Sequence, residues 1–154
     1  MIRNATAADF QTLWRIDQEC FIDGISYSQA ELRHYMKRRG AFTLVKEDEA
    51  GIAGFLVAES SSRGAGHIIT IDVLPRARRA GIGSELLRAG EQRLRASGCG
   101  AVLLETAVDN ESAIRFYKRH GYSVLKTIPR YYLDSLDALL MGKPLEAARS
   151  NRLP

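Results

Sequence analysis

Apolar positions recur along this chain in two rhythms, and the switches between them lay out its elements. Ile2 to Thr6 reads as a short strand. Thr6-Ala7-Ala8-Asp9 then opens a helix, with Thr6 as its cap. Phe10, Leu13, Trp14 and Asp17 follow at helical spacing, the first three forming one apolar face. The segment Phe21 to Tyr27 is a loop with many large apolar residues. Ser28 starts a second helix, with Glu31 three residues on as a capping-box partner; it runs to about Arg39 and stops at Gly40. Alternating strands are expected at Ala41 to Lys46 and Ile52 to Glu59, joined by the polar turn Glu47 to Gly51.

Ser60 to Gly66 is a polar loop, and Ile68 to Leu74 the next strand. After a glycine-containing turn, a helix is expected from about Ser84 to Ser97, with Leu86, Leu87, Gly90 and Leu94 on one face. A glycine inside a helix costs about 1 kcal/mol relative to alanine, so Gly90 points to close packing. Gly98-Cys99-Gly100 ends that helix, and Ala101 to Val108 is a strongly apolar strand. Asn110 caps a short helix, Glu111 to His120, closed by Gly121. Ser123 to Ile128 and Asp137 to Met141 are the last strands, separated by the loop Pro129 to Leu136. Residues 1–145 are read as one domain and 146–154 as a flexible tail without periodicity.

The apolar fraction of 45% and charged fraction of 26% suit a globular protein with one sizeable core. No apolar run approaches the roughly 18 residues that would span a bilayer, and the first residues lack the apolar core of a signal peptide. The expectation is therefore a cytoplasmic chain without membrane contact, with Cys20 and Cys99 as free thiols and a monomeric or homodimeric state. A net charge of +4 is compatible with an anionic ligand, and no nucleic-acid partner is expected. Position says more than the total, because Arg76, Arg78 and Arg79 crowd the glycine turn itself.

That turn is the run Arg78-Arg79-Ala80-Gly81-Ile82-Gly83-Ser84. A turn from strand to helix leaves several backbone N–H groups at the helix N-terminus without partners, and the helix dipole adds positive potential there. The arrangement favours phosphate. Gly81 and Gly83 let the backbone approach a ligand, and the arginines offer forked donors. A dinucleotide-binding domain is a competing reading, since Glu105 follows Gly83 by about the spacing of a ribose-binding acid. Against it, Leu86 stands where the third glycine would be, and the motif comes late in the chain.

The order of elements and four sequence segments together resemble the GNAT N-acetyltransferase superfamily over about residues 2–145. The segments are Arg78-x-x-Gly81-x-Gly83; His67 to Pro75; Asn110-x-x-Ala113-Ile114-x-Phe116-Tyr117-x-x-x-Gly121-Tyr122; and Arg130-Tyr131-Tyr132 followed by Asp137 to Met141. The last resembles the ending of RimI- and Ard1-type N-terminal acetyltransferases. The resemblance implies an α/β (α+β) fold with a mixed, mostly antiparallel sheet of about seven strands and about four helices. It implies acetyl-CoA as cofactor, with its pyrophosphate on the N–H groups of Arg79, Ala80, Gly81, Ile82, Gly83 and Ser84. The pantetheine arm would lie along main chain around Ile71 and Val73, with Asn110 as a further contact.

Acetyl transfer to an amine needs a neutral nucleophile and a proton for the departing thiolate. Glu105 interrupts the run Val102 to Val108, and a carboxylate in such a strand is costly to bury, which suits a general base. It could equally face solvent or pair with an arginine on the sheet surface; the resemblance implies the base. Tyr117 shares a helix face with Ala113, Phe116 and His120, and spacing alone makes it a core tyrosine; the resemblance implies a general acid near the CoA sulfur. His34, His67 and His120 are scattered and read as structural, and no metal cluster stands out. An α-amine is easier to neutralise than a lysine side chain by about two pKa units, or about 3 kcal/mol. That favours a peptide N-terminus as acceptor. Phe21 and Tyr27, in a loop that departs from the Phe-Pro-rich pattern of many such enzymes, are candidates for acceptor contact. The resemblance adds Tyr131 and Tyr132. Acetylation of a small-molecule amine or internal lysine, and a non-catalytic acyl-CoA-binding module, are the alternatives.

Overall fold

The computed structural model describes residues 1–22, 24–132 and 135–146. Residues 147–154, most of the tail expected from the sequence, and residues 23, 133 and 134 lie outside the described residues. Seven strands form one sheet in the order β1-β2-β3-β4-β5-β7-β6. They are β1 Ile2–Asn4, β2 Ala41–Asp48, β3 Gly51–Ser60, β4 Ala65–Val73, β5 Ala101–Ala107, β6 Ser123–Tyr132 and β7 Leu136–Pro144. Every neighbouring pair is antiparallel except β4 and β5. Four α-helices are described: α1 Phe10–Cys20, α2 Gln29–Lys37, α3 Ile82–Ala96 and α4 Glu111–Arg119. The mixed sheet and helix count are those that the sequence implies.

The alternation of β2 and β3 separates two cores. Val45, Phe55 and Val57 pack with Phe10, Leu13, Ile16 and Leu32 of α1 and α2. Leu44, Leu56 and Ala58 pack with Leu86, Leu87 and Leu94 of α3 and with Val102, Leu104 and Met141. A Cβ on Gly90 would stand 3.0 Å from Leu56, so this glycine is a packing requirement, as expected. The predicted caps are also in place. Glu31 N–H donates to Ser28 Oγ at 3.1 Å, Ser28 N–H returns to Glu31 at 2.9 Å, and Ala113 N–H donates to Asn110 at 3.2 Å.

Several boundaries differ from the sequence reading. Thr6 caps a 3₁₀ turn, Ala7–Asp9, before α1 begins at Phe10. Glu47 and Asp48 extend β2 because they pair with Ile52 and Gly51, which shortens the hairpin turn to Glu49 and Ala50. β6 continues through Pro129 to Tyr132, so much of the expected loop is strand. α3 starts at Ile82, which places Gly83 inside its first turn.

One irregularity decides what β4 presents. Val57 pairs with Thr70 and Ala58 with Ile68, so Ile69 is an extra residue, a β-bulge. The bulge reverses the side-chain alternation. Beyond it, Asp72 lies opposite Phe55, on the α1 side, while Ile71 lies opposite Leu56, on the α3 side. The end of β4 is also held close to β3. A Cβ on Gly54 would meet the Asp72 carbonyl oxygen at 2.8 Å and Ile82 and Val73 at 3.3 Å each. Backbone cannot yield as a side chain can. Gly54→Ala is expected to cost about 1–3 kcal/mol by overpacking and, by shifting β4 against α3, to raise KM for a ligand held there. Thermal unfolding and donor titration would check both.

Candidate functional site

The sheet splits at its centre. β4 and β5 pair only through Ala65–Ala101, Gly66–Val102 and His67–Leu103. Past these residues β4 stays with β3 as far as Val73, and β5 stays with β7 as far as Ala107. The two leaves diverge, and the edge of β4 around Ile71 and Val73 turns its main-chain groups toward the gap rather than toward a strand. An open edge offers hydrogen bonds to an extended ligand.

At the wide end of the gap, β4 passes through a 3₁₀ turn, Pro75–Ala77, into α3. Arg79 and Gly81 both adopt left-handed backbone, with φ of 69° and 80°. Two such residues curl the chain so that successive N–H groups converge on one concavity. Glu85 N–H finds a helical carbonyl, that of Gly81, at 3.0 Å; the N–H groups before it have no partner within the helix. Arg78 folds back, its Nε donating to the Val73 carbonyl at 3.0 Å. Arg76 does not join this cluster, because it pairs with Asp48 at 2.7 Å. Gly83 has a reason that the sequence reading did not supply: a Cβ there would press on the Phe116 ring at 3.3 Å. Ser84 Oγ lies 2.9 Å from His120 Nε2, and burial holds this histidine below its ordinary range. The turn and α4 are therefore packed as one unit.

Glu105 projects from β5 on the narrow side of the gap. It is neither a solvent-facing residue nor the partner of an arginine: its Oε1 lies 2.7 Å from His67 Nε2, and the Tyr131 hydroxyl donates to it at 3.4 Å. His67 Nδ1 stands 3.9 Å from Glu59, which Arg38 holds at 3.2 Å. A row Arg38–Glu59–His67–Glu105 thus runs from the surface to the gap, beside a cavity of about 220 Å³ lined by Glu59, Ser61, His67 and Glu105 among others. His67 is the main residue that sequence reasoning missed. The signal was present as two polar positions in adjacent apolar strands, but only the β4–β5 register brings them together.

The tyrosines gather around this point. Tyr131 and Tyr132 stack edge to face at 4.8 Å, and Tyr27 meets Tyr35 at 5.2 Å. Burial, then Glu105, pushes the Tyr131 phenol up to about 12. Burial also raises Tyr132, with Tyr131 and Glu105 adding to it. Tyr117 of α4, against Phe116 and Tyr122, is raised by burial first, with Asp72 and Tyr132 adding to it. Arg130, with φ of 54°, turns β6 where its register breaks, and its N–H bonds Asp137 at 3.0 Å. That irregularity aims the Tyr131–Tyr132 pair. Tyr27 is gripped by α1: its N–H donates to Asp17 at 2.7 Å, and its carbonyl accepts from Trp14 at 3.0 Å and Gln18 at 2.8 Å. Phe21 closes α1, its N–H donating to the Asp17 carbonyl at 3.1 Å. Cys20 and Cys99 are free thiols, and burial pushes Cys20 up to about 12. Among the described residues no cluster suited to a metal ion occurs, and no helix is long and apolar enough to cross a membrane.

This arrangement has relatives. The family model for the acetyltransferase (GNAT) family matches residues 10–122. An uncharacterized N-acetyltransferase of Methanocaldococcus jannaschii is 32% identical over 93% of this chain and 90% of its own. An N-alpha-acetyltransferase of Sulfurisphaera tokodaii is 30% identical over 94% of this chain and 92% of its own. The crystal structure of Ard1 from Thermoplasma volcanium superposes with a TM-score of 0.87 at 30% identity, covering 95% of this chain and 97% of that one.

Proposed function

Because the chain belongs to the acetyltransferase (GNAT) family, we propose that it moves an acetyl group from acetyl-CoA to the α-amine of a peptide or protein N-terminus. The observation that carries this reading is the split between β4 and β5, with an anion-binding turn at one end and a carboxylate in its wall. The N–H groups from Arg79 to Ser84 would hold the pyrophosphate, and the open edge of β4 at Ile71 and Val73 the pantetheine arm. Those residues fit the group: past His67 the edge of β4 has no partner strand, although Arg78 and Cys20 donate to the Val73 carbonyl, and the turn is curled by left-handed backbone and flanked by Arg78. The donor supplies an activated thioester acetyl.

Glu105 would take the proton from the incoming amine, directly or through a water, with His67 holding its Oε1. Tyr117, kept protonated by burial, would return a proton to the departing thiolate. Tyr131, Tyr132 and Tyr27 would frame the acceptor, and Asn110 would hold the start of α4 near the donor. The α-amine fits a single carboxylate base better than a lysine does, by about 3 kcal/mol of deprotonation work. The similarity to N-alpha-acetyltransferases over nearly the whole chain supports the same acceptor. Incubation with acetyl-CoA and a library of peptides, followed by mass-spectrometric mapping, tests the reading. Product on peptide N-termini is expected, and product confined to lysines or small amines would overturn it.

A further inference from the structure

Two carboxyl groups that have no part in the proposed chemistry are sealed between α1 and β4. Asp17 lies on the buried stripe of α1 with Phe10, Leu13 and Ile16. Asp72 reaches the same face because of the bulge at Ile69. Neither has any solvent exposure. Each has one oxygen engaged: Tyr27 N–H donates to Asp17 Oδ2 at 2.7 Å, and the Thr70 hydroxyl donates to Asp72 Oδ1. The remaining oxygens, Asp17 Oδ1 and Asp72 Oδ2, have no donor among the described residues, although both side chains are sealed from water on the same face. A shared proton would satisfy both oxygens at once, because a protonated carboxyl donates where a carboxylate can only accept.

We propose that the Asp17–Asp72 pair is a proton-bridged latch that fastens the acceptor loop, through Tyr27, to the donor-side strand β4. Tyr27 sits at the centre of this fastening. α1 grips both sides of its peptide group, and its hydroxyl reaches the carbonyl of the bulge residue Ile69 at 3.5 Å. Asp17 and Asp72 are positioning residues: they touch neither reacting group, and they fix the distance between the loop that would receive the amine and the strand that would hold the donor. The assignment of that loop to the acceptor rests on the function proposed above; the latch itself does not.

The groups facing the pair are Cys20 of α1, Tyr27 of the loop, Arg78 after β4 and Tyr117 of α4. Burial and Asp17 hold the Asp72 carboxyl well above the ordinary carboxylate range, opposed by Thr70 and Arg78. A raised acid binds its proton more tightly in the fold than in the unfolded chain. Its contribution is complete below the ordinary carboxylate range and is lost as pH rises through the raised value.

Asp72→Asn separates the proton from the geometry. The amide donates to Asp17 and still accepts from Thr70, so the bridge needs no proton. The melting temperature of the wild type is expected to fall more steeply than that of Asp72→Asn as pH rises, the gap widening with pH. Hydrogen exchange at the Tyr27 amide, corrected for intrinsic rate, should lose protection with rising pH in the wild type and keep it in Asp72→Asn. Asp72→Ala should lose about tenfold or more of that protection at every pH and raise KM for the peptide acceptor. Identical pH dependence of both readouts in wild type and Asp72→Asn would overturn the latch, and that comparison suffices even if Asp72→Ala does not fold. The exchange is measured without substrate, so a chain that acetylates no peptide could still prove to be latched.

Discussion

Glu105→Gln is expected to lower kcat/KM for peptide acetylation by about 10²- to 10⁴-fold, the range over which a positioned general base contributes. The substitution keeps the shape and leaves an oxygen for the Tyr131 hydroxyl, but it removes the proton acceptor that faces His67. Because chemistry rather than binding is affected, the loss should fall on kcat, with KM for acetyl-CoA nearly unchanged. His67→Gln should cost less, since His67 supports Glu105 and does not meet the amine. The double variant should be little worse than Glu105→Gln alone, because residues acting as a unit are not additive. Wild-type rates in Glu105→Gln would remove it as base.

Tyr117→Phe is expected to lower kcat by about 10²-fold, the lower end for a general acid, with little effect on stability. The phenyl ring keeps its contacts with Phe116 and Tyr122. Burial, with Asp72 and Tyr132 adding to it, raises the phenol above its ordinary range, so its own titration should not shape the rate below that range. Acetyl donors whose thiol is a stronger acid should be less sensitive to the substitution, because their thiolate leaves without a proton. Steady-state rates with two donors of different thiol acidity would measure this. Equal losses with both would assign Tyr117 to packing alone.

Local chemistry made much of this molecule readable. The Ser28–Glu31 box, the Asn110 cap and the leucines of α3 depend on neighbours within a few residues. The curled turn ahead of α3 was legible for the same reason, since glycines before a helix expose N–H groups whatever surrounds them. Pairs made through space were not. Nothing near Asp17 in sequence says that its carboxyl is buried; the fourth residue of an apolar spacing would ordinarily be the polar end of the stripe. His67 acquires meaning only from the three-residue register that joins β4 to β5. β6 was cut short because Pro129 reads as a break, although a proline is tolerated in a strand at the edge of the sheet, where β6 lies.

The extra residue at Ile69 also has a genetic consequence. Removing that one codon would leave regular pairing with β3, because Ala58 already pairs with Ile68 and Val57 with Thr70, and Thr70, Ile71, Asp72 and Val73 would keep the faces they now occupy. Removing a codon from the regular pairs beyond it would instead turn every later side chain of the strand to the opposite face. Ile69 is therefore the one position in this stretch of β4 where the gene can lose a codon without exchanging the strand's two faces.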